Sequence, residues 1–285
     1  MNKDIILEIS KNLSITEKQV ETVLNLLSEG NTIPFIARYR KDLTGALDEE
    51  IIRSISEVYE YQVNLLKRKE DVIRLIGEKG LLTPELSEAI MKCQKLVEVE
   101  DLYRPFKEKK KTKATEAIKN GLEPLAKIIM SFPINGSIEM LASKYVTENV
   151  KNVEEAIQGA KYIIAEWISD NAGYRKWIRN FVYRNGILTT KVKKENPDLK
   201  KVYEMYYDYS EEVRNIKPHR VLAINRAEDE KVLTVSININ KEEIIKYLES
   251  KLIKNKDSFV INIVNDAIED SFKRLIYPSI EREIR

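Results

Sequence analysis

Between Asp48 and Ile76 the apolar residues Ile51, Ile55, Val58, Leu65, Val72 and Ile76 recur at helical spacing, interrupted by Gln62 and Lys69. A helix of that length reaches roughly 45 Å at 1.5 Å per residue, which predicts a spine against which shorter helices pack. Asp48, Glu49 and Glu50 mark its start, where the helix dipole favours negative charge, and Gly77 and Gly80 stop it. Shorter helices are predicted on both sides. Ile5, Ile9 and Leu13 repeat every fourth residue, and Val20, Val23, Leu24 and Leu27 form a stripe closed by Gly30. Thr16 with Gln19 has the spacing of a capping box. Thr83-Pro84-Glu85 restarts a helix whose buried stripe is Leu86, Ile90, Cys93 and Val97, which makes Cys93 a small core residue rather than a reactive thiol.

Further along, Asn120-Gly121 ends one short helix and Glu123-Pro124 begins another; Phe132 to Gly136 is the clearest break. Val153, Ile157, Ala160, Ile164 and Trp167 give an amphipathic helix, and Asp170-Asn171 breaks it. Tyr174, Trp177, Ile178 and Phe181 give a second helix, which ends at Asn185-Gly186. Ile187 to Val192 reads as extended, and a third short helix is expected after Pro197. Two helices, a tight turn and a strand resemble a helix-turn-helix or winged arrangement, and an ordinary helical hairpin fits the same pattern. Arg220 to Asn225 and Lys231 to Ile239 read as a β-hairpin, the second strand alternating Leu233, Val235, Ile237 and Ile239 with polar residues. The expected fold is therefore mainly α: a multi-helical array with a helix-turn-helix-like subdomain and one antiparallel β-hairpin. Its expected divisions are residues 1–134, 135–212 and 213–285. Ser279 to Arg285 still read as helix with no capping residue, the pattern of a truncated chain.

Composition excludes several function classes. Forty-eight Lys and Arg against 46 Asp and Glu leave a net charge of only +2, so nucleic-acid affinity would have to come from local clustering. One cysteine rules out an internal disulfide, no apolar run approaches the roughly 20 residues that span a bilayer, and a cytoplasmic protein is expected. His219 is the sole histidine, which forbids a two-histidine metal site; no phosphate-binding glycine loop, nucleophile elbow or His-Glu-x-x-His spacing occurs. No catalytic residue, metal ligand or cofactor is expected, and no enzymatic activity.

Positive charge gathers in two places. Arg104, Lys107, Lys109, Lys110, Lys111 and Lys113 lie beside Tyr103 and Phe106 with only Glu108 among them. Such a run can release counterions from a phosphate backbone while its aromatics stack on unpaired bases, and it can equally be a solvated loop. In the Trp177 helix, Arg175, Lys176 and Arg179 fall opposite the apolar stripe, followed by Arg184, Lys191, Lys193 and Lys194. They form a candidate DNA-facing surface, or a plain polar helix face. A third group, Arg38, Arg40 and Lys41, lies close in sequence to Asp42, Asp48, Glu49 and Glu50. Internal ion pairs are expected there, because the guanidinium fork suits carboxylates.

Three ordered blocks carry a family resemblance. NTIPFIARYRKDLTGALDEE (residues 31–50), VEVEDLYRPFKEKKKTKATEAIKNGL ending at Leu122, and YYDYSEEVRNIKPHR (Tyr206 to Arg220) resemble the N-terminal signatures of the bacterial Tex family of transcription accessory proteins. The resemblance implies nucleic-acid binding in support of transcription, similar to the eukaryotic elongation factor that shares the Tex core. It also implies downstream RNase H-like, helix-hairpin-helix and C-terminal OB-fold domains that this sequence does not contain. The cations above would then make non-specific phosphate contacts to RNA or DNA. The alternative it leaves open is a protein-interaction platform for RNA polymerase or a ribosome, with no membrane and no small-molecule partner.

Overall fold

Helices begin and end where polar side chains and glycines can satisfy the free backbone groups. The computed structural model describes residues 2–109, 111–195 and 198–285. Its contacts divide into two compact units, one ending at Tyr103 and the other Arg104–Arg285.

The first unit contains α1 (Lys3–Leu13), α2 (Glu17–Ser28), α3 (Ile33–Tyr39), the single turn α4 (Lys41–Thr44), α5 (Glu49–Glu78), α6 (Pro84–Lys92) and α7 (Leu96–Tyr103). The capping box forms as the sequence predicts: Gln19 N donates to Thr16 Oγ1 at 3.2 Å and Thr16 N donates to Gln19 Oε1 at 3.0 Å. Asp48 caps α5, accepting from Ile51 N at 2.8 Å, and Thr83 caps α6 behind Pro84. The spine is real: α5 runs 30 residues and buries Ile52, Ile55, Leu65, Val72 and Ile76. Ile52, rather than Ile51, is the residue fully turned inward. Cys93 is buried and its thiol donates to Ala89 O at 3.4 Å.

The second unit is built around α11 (Val153–Ser169), which touches α8 (Lys113–Lys119), α9 (Glu123–Met130), α10 (Ile138–Ala142), α12 (Ala172–Asn185) and α15 (Ile261–Asp270). Gly159 makes this close packing possible, since a Cβ there would lie 3.3 Å from Ala117 Cβ of α8 and 2.3 Å from Leu122 Cδ1 just before α9. The remaining elements are β1 (Ile187–Val192), β2 (Asp208–Glu212), α13 (Pro218–Asp229), β3 (Leu233–Asn238), α14 (Lys241–Leu252), a π-helical turn (Ser271–Ile276) and α16 (Tyr277–Ile284). One core runs from Ala114 to Ile280 through these elements. The π turn adds a residue to the helical repeat, so Phe272, Ile276 and Ile280 face inward while Leu275 stays partly exposed.

The mainly α class stands, but the expected hairpin does not form. Residues 218–229 are helical: Pro218 starts α13, and Ile224 and Ala227 bury at helical spacing. The partner of β3 is instead β1, in an antiparallel sheet of order β2-β1-β3 with Leu188 opposite Ile237 and Thr189 opposite both Ser236 and Ser210. This pairing crosses the expected division at 212/213. The expected division at 134/135 also falls inside the second unit, where Phe132 is buried and Ser258 Oγ donates to Pro133 O at 2.5 Å. The helix expected after Pro197 reduces to a short 3-10 turn, Glu204–Tyr206; Pro197 itself lies outside the described residues. The free edge of β3 is closed by α16: Ile237 N donates to Glu281 Oε1 at 2.9 Å, and the Tyr277 hydroxyl donates to Ile237 O. Burial, with the Glu281 charge nearby, pushes the Tyr277 hydroxyl up to about 12.

Candidate nucleic-acid interface

The basic segment is a strap laid along α11. Tyr162, Glu166 and Asp170 recur at i, i+4 and i+8 on or just past α11, and each meets a side chain of the segment. Lys113 Nζ sits 4.8 Å from the Tyr162 ring centroid, whose ring the Arg274 guanidinium also covers at 5.4 Å. Thr112 Oγ1 donates to Glu166 Oε1 at 3.2 Å. Lys109 Nζ lies 3.1 Å from Glu166 Oε2 and also holds Asp170, which Arg104 Nε approaches at 3.3 Å. Beneath the strap an open cleft of about 600 Å³ is lined by Pro105, Lys109, Thr115, Glu166, Trp167 and Asp170, among others.

Asp170 is the least solvated member of this group. Burial pushes its carboxyl above the usual range and the Glu166 charge adds to that, against the hydrogen bond and charge of Lys109 and the charge of Arg104. Of the predicted cations, Lys109 and Arg104 therefore act inward. Lys107 and Lys113 are exposed; Lys111 is 83% exposed with Glu116 at 3.0 Å. Lys110 lies outside the described residues.

The α12 cations divide in the same way. Arg175 is fully buried, its Nη2 donating to Glu283 Oε1 at 2.5 Å and to Ser279 Oγ at 3.0 Å. Arg179 reaches the other oxygen of Glu283 through Nη2 at 2.7 Å and Nε at 2.9 Å. Burial alone would raise the Glu283 carboxyl, but the Arg179 hydrogen bond and the two guanidinium charges hold it below the usual range. Burial thus removes Arg175 from any phosphate-facing surface and leaves Arg179 only slightly exposed, because α12 is packed against α16 on the side expected to face solvent. Lys176 faces outward, on one strip with Asn180, Tyr183 and Arg184.

The third cationic group departs from expectation in the opposite direction. Arg38, Arg40 and Lys41 are all exposed, and among the described residues no carboxylate lies within ion-pairing distance of any of them. Arg40 instead lies over the Phe35 ring, 5.3 Å from its centroid.

The sequence reading missed Glu283, Glu166 and Tyr162. The last two carried a signal, the four-residue spacing with Asp170; Glu283 carried none, being more than 100 residues from its partners. No group of three or more His, Cys, Asp or Glu side chains suited to a metal ion occurs among the described residues, and no described helix is long and apolar enough to cross a membrane.

These features define a helical scaffold carrying one small antiparallel sheet, with most of its arginines tied to carboxylates. Residues 3–77 match the family described as Tex-like protein N-terminal domain, and residues 136–283 match Tex central region-like. The chain belongs to the Tex family. It is 50% identical over 98% of its length to YdcI of Bacillus subtilis (strain 168), covering 39% of that protein. It is 33% identical to the transcriptional accessory protein Tex of Neisseria gonorrhoeae (82% of this chain, 31% of that one). It is 31% identical to S1 RNA-binding domain-containing protein 1 of Homo sapiens (100% of this chain, 30% of that one). The chain thus spans well under half the length of these relatives.

Proposed function

We propose that this chain is the non-catalytic helical scaffold of a nucleic-acid-binding transcription accessory protein, and that its own phosphate contacts are few and indifferent to sequence. The transcription accessory and S1 RNA-binding names of its relatives support the nucleic-acid role. The observation that carries the modest strength of the contacts is the strap: Arg104 and Lys109 neutralise Glu166 and Asp170, leaving Lys107, Lys111, Lys113 and, on α12, Lys176 and Arg184 to face solvent. Few outward cations mean a shallow dependence on salt, about 0.7 in log–log slope per phosphate neutralised on a single strand. Fluorescence anisotropy with labelled RNA and DNA tests this. Binding should be weak, weaken further with salt, and lose slope when Lys107 and Lys111 are reversed to Glu. Tight binding that ignores salt contradicts it.

A second reading, a platform for a protein partner such as RNA polymerase or a ribosome, draws on one specific observation. Leu199, at 94% exposed, and Leu222, at 70%, flank an open groove of about 670 Å³ together with Val202 and Tyr203. If the charge reversals leave nucleic-acid affinity unchanged while Leu222→Asp abolishes capture of purified RNA polymerase, this reading replaces the first.

A further inference from the structure

We propose that Tyr39, with Arg38, Arg40 and Lys41 around it, is a contact site for an unpaired nucleic-acid strand. The inference rests on the nucleic-acid reading above and places a contact on residues outside both cationic groups considered there.

Helix α3 turns Ile36 and Ala37 into the core, which leaves Phe35, Arg38 and Tyr39 at i, i+3 and i+4 on its outer side. Tyr39 is 65% exposed, and its ring packs beside Phe35 at 5.2 Å between centroids with a 43° tilt. The Arg40 guanidinium occupies the Phe35 ring. Phe35 is thereby engaged from two directions, and Tyr39 offers an aromatic surface to solvent beside a positioned cation.

The charge here is uncompensated, unlike that of other arginines in the same unit. Arg53, Arg68 and Arg74 hold Glu49, Glu100 and Glu78 at 2.9, 2.6 and 2.7 Å. Arg38, Arg40 and Lys41 have no carboxylate in reach among the described residues, although Asp42 adjoins them in sequence.

The support is rigid. Thr44 is fully buried and its hydroxyl donates to Arg40 O at 3.3 Å; Gln19 Nε2 donates to Thr44 O at 3.1 Å. Gly45 makes that bond possible: its φ is +68°, and a Cβ there would lie 2.9 Å from Gln19 Nε2. Since Gln19 is also locked in the α2 capping box, the turn carrying the cations is fixed by the start of a neighbouring helix.

Three ligand classes can be weighed against this arrangement. An acidic peptide would use the cations and leave the Tyr39 ring idle, and a duplex would present phosphates with its bases stacked away. An unpaired strand uses both features, with phosphates at Arg38, Arg40 and Lys41 and a base on Tyr39.

The test is a salt titration of the whole chain with a fluorescein-labelled single-stranded oligouridylate, followed by anisotropy, with circular dichroism confirming that each variant is folded. Tyr39→Ala should weaken binding by about tenfold while Tyr39→Phe binds as the parent does, because stacking needs the ring and not the hydroxyl. Arg38→Gln with Arg40→Gln should flatten the log–log salt slope by about 1.4, roughly 0.7 for each phosphate that is no longer neutralised. If Tyr39→Ala binds within about twofold of the parent while reversal of Lys107 and Lys111 removes binding, this site is overturned and the general reading survives. If the parent chain does not bind at low salt, both fall. If polyglutamate displaces the oligouridylate as well as unlabelled oligouridylate does, charge alone accounts for the site and base stacking is overturned.

Discussion

Arg175 shows how far a single side chain can depart from the role its neighbours in sequence imply. It sits fully buried with its charge answered by Glu283, which is itself only about a quarter exposed. A buried pair of this kind contributes little net stability, because desolvation offsets attraction, but removing one partner leaves the other charge stranded at a cost of about 3 kcal/mol. Glu283→Ala should therefore lower the free energy of unfolding in urea by about 3 kcal/mol, whereas Glu283→Ala combined with Arg175→Met should recover most of the loss. The sign of the pH dependence follows from Glu283. Its folded-state pKa lies below the ordinary value, so its contribution is fully present above the unfolded pKa and disappears as pH falls through the folded one. The gap between parent and Glu283→Ala should accordingly be widest near neutrality and shrink in acid.

At the scale of elements, the strap from Arg104 to Lys113 is held on α11 by polar contacts with Tyr162, Glu166 and Asp170, and Lys109 is the residue that touches both carboxylates. Lys109→Ala would leave Glu166 and Asp170 side by side without the cation that touches both, with Arg104 remaining at Asp170 and the Thr112 hydroxyl at Glu166. Burial already raises the Asp170 carboxyl, and losing Lys109 raises it further. A carboxyl whose folded pKa exceeds its unfolded one takes up a proton first in the folded state, so the variant should be weakest at neutral pH, by about 2 kcal/mol, and recover as pH falls through the Asp170 value. Hydrogen exchange of residues 104–113 should rise in the variant at neutral pH and less so in acid; equal exchange in parent and variant would show that the strap is held by something else. Elements also mark the limit of what is legible in sequence. Thr16 with Gln19, Thr83 with Pro84, and the stripe of α5 are local signals, and the structure follows them except that Ile52 buries in place of Ile51 and Val58 stays partly exposed. Residues 220–225 carry β-branched side chains that read as strand, yet the sheet partner of β3 comes from β1, 47 positions upstream in the Thr189–Ser236 pair. Local pattern holds no information about such a pairing. The same limit applies to the cations: Lys109 meets Asp170 across 61 positions and Arg175 meets Glu283 across 108, whereas Arg38 and Arg40, followed in sequence by Asp42, Asp48, Glu49 and Glu50, pair with none among the described residues.

For the whole molecule, a near-zero net charge conceals two different arrangements. In the unit Arg104–Arg285 four of the cations expected to bind phosphate, Arg104, Lys109, Arg175 and Arg179, are folded into carboxylate networks, while in the unit ending at Tyr103 a group expected to pair internally is left open. Each unit also closes its own core: one cluster runs from Ile5 to Ile55, and the other from Ala114 to Ile280. The second core is continuous from α8 to α16, and Glu283, Arg175, Arg179, Asp170, Glu166 and Lys109 all belong to its unit. Residues 104–285 produced alone should therefore unfold in one cooperative urea transition, with an m value about two thirds that expected for a single transition of the entire chain, since m scales with the surface exposed. The isolated unit should also show the acid response of Glu283→Ala unchanged. A broad, non-cooperative transition would mean that its core depends on the first unit for order, and the stability effects assigned to Glu283 and Lys109 would then have to be measured only in the intact chain.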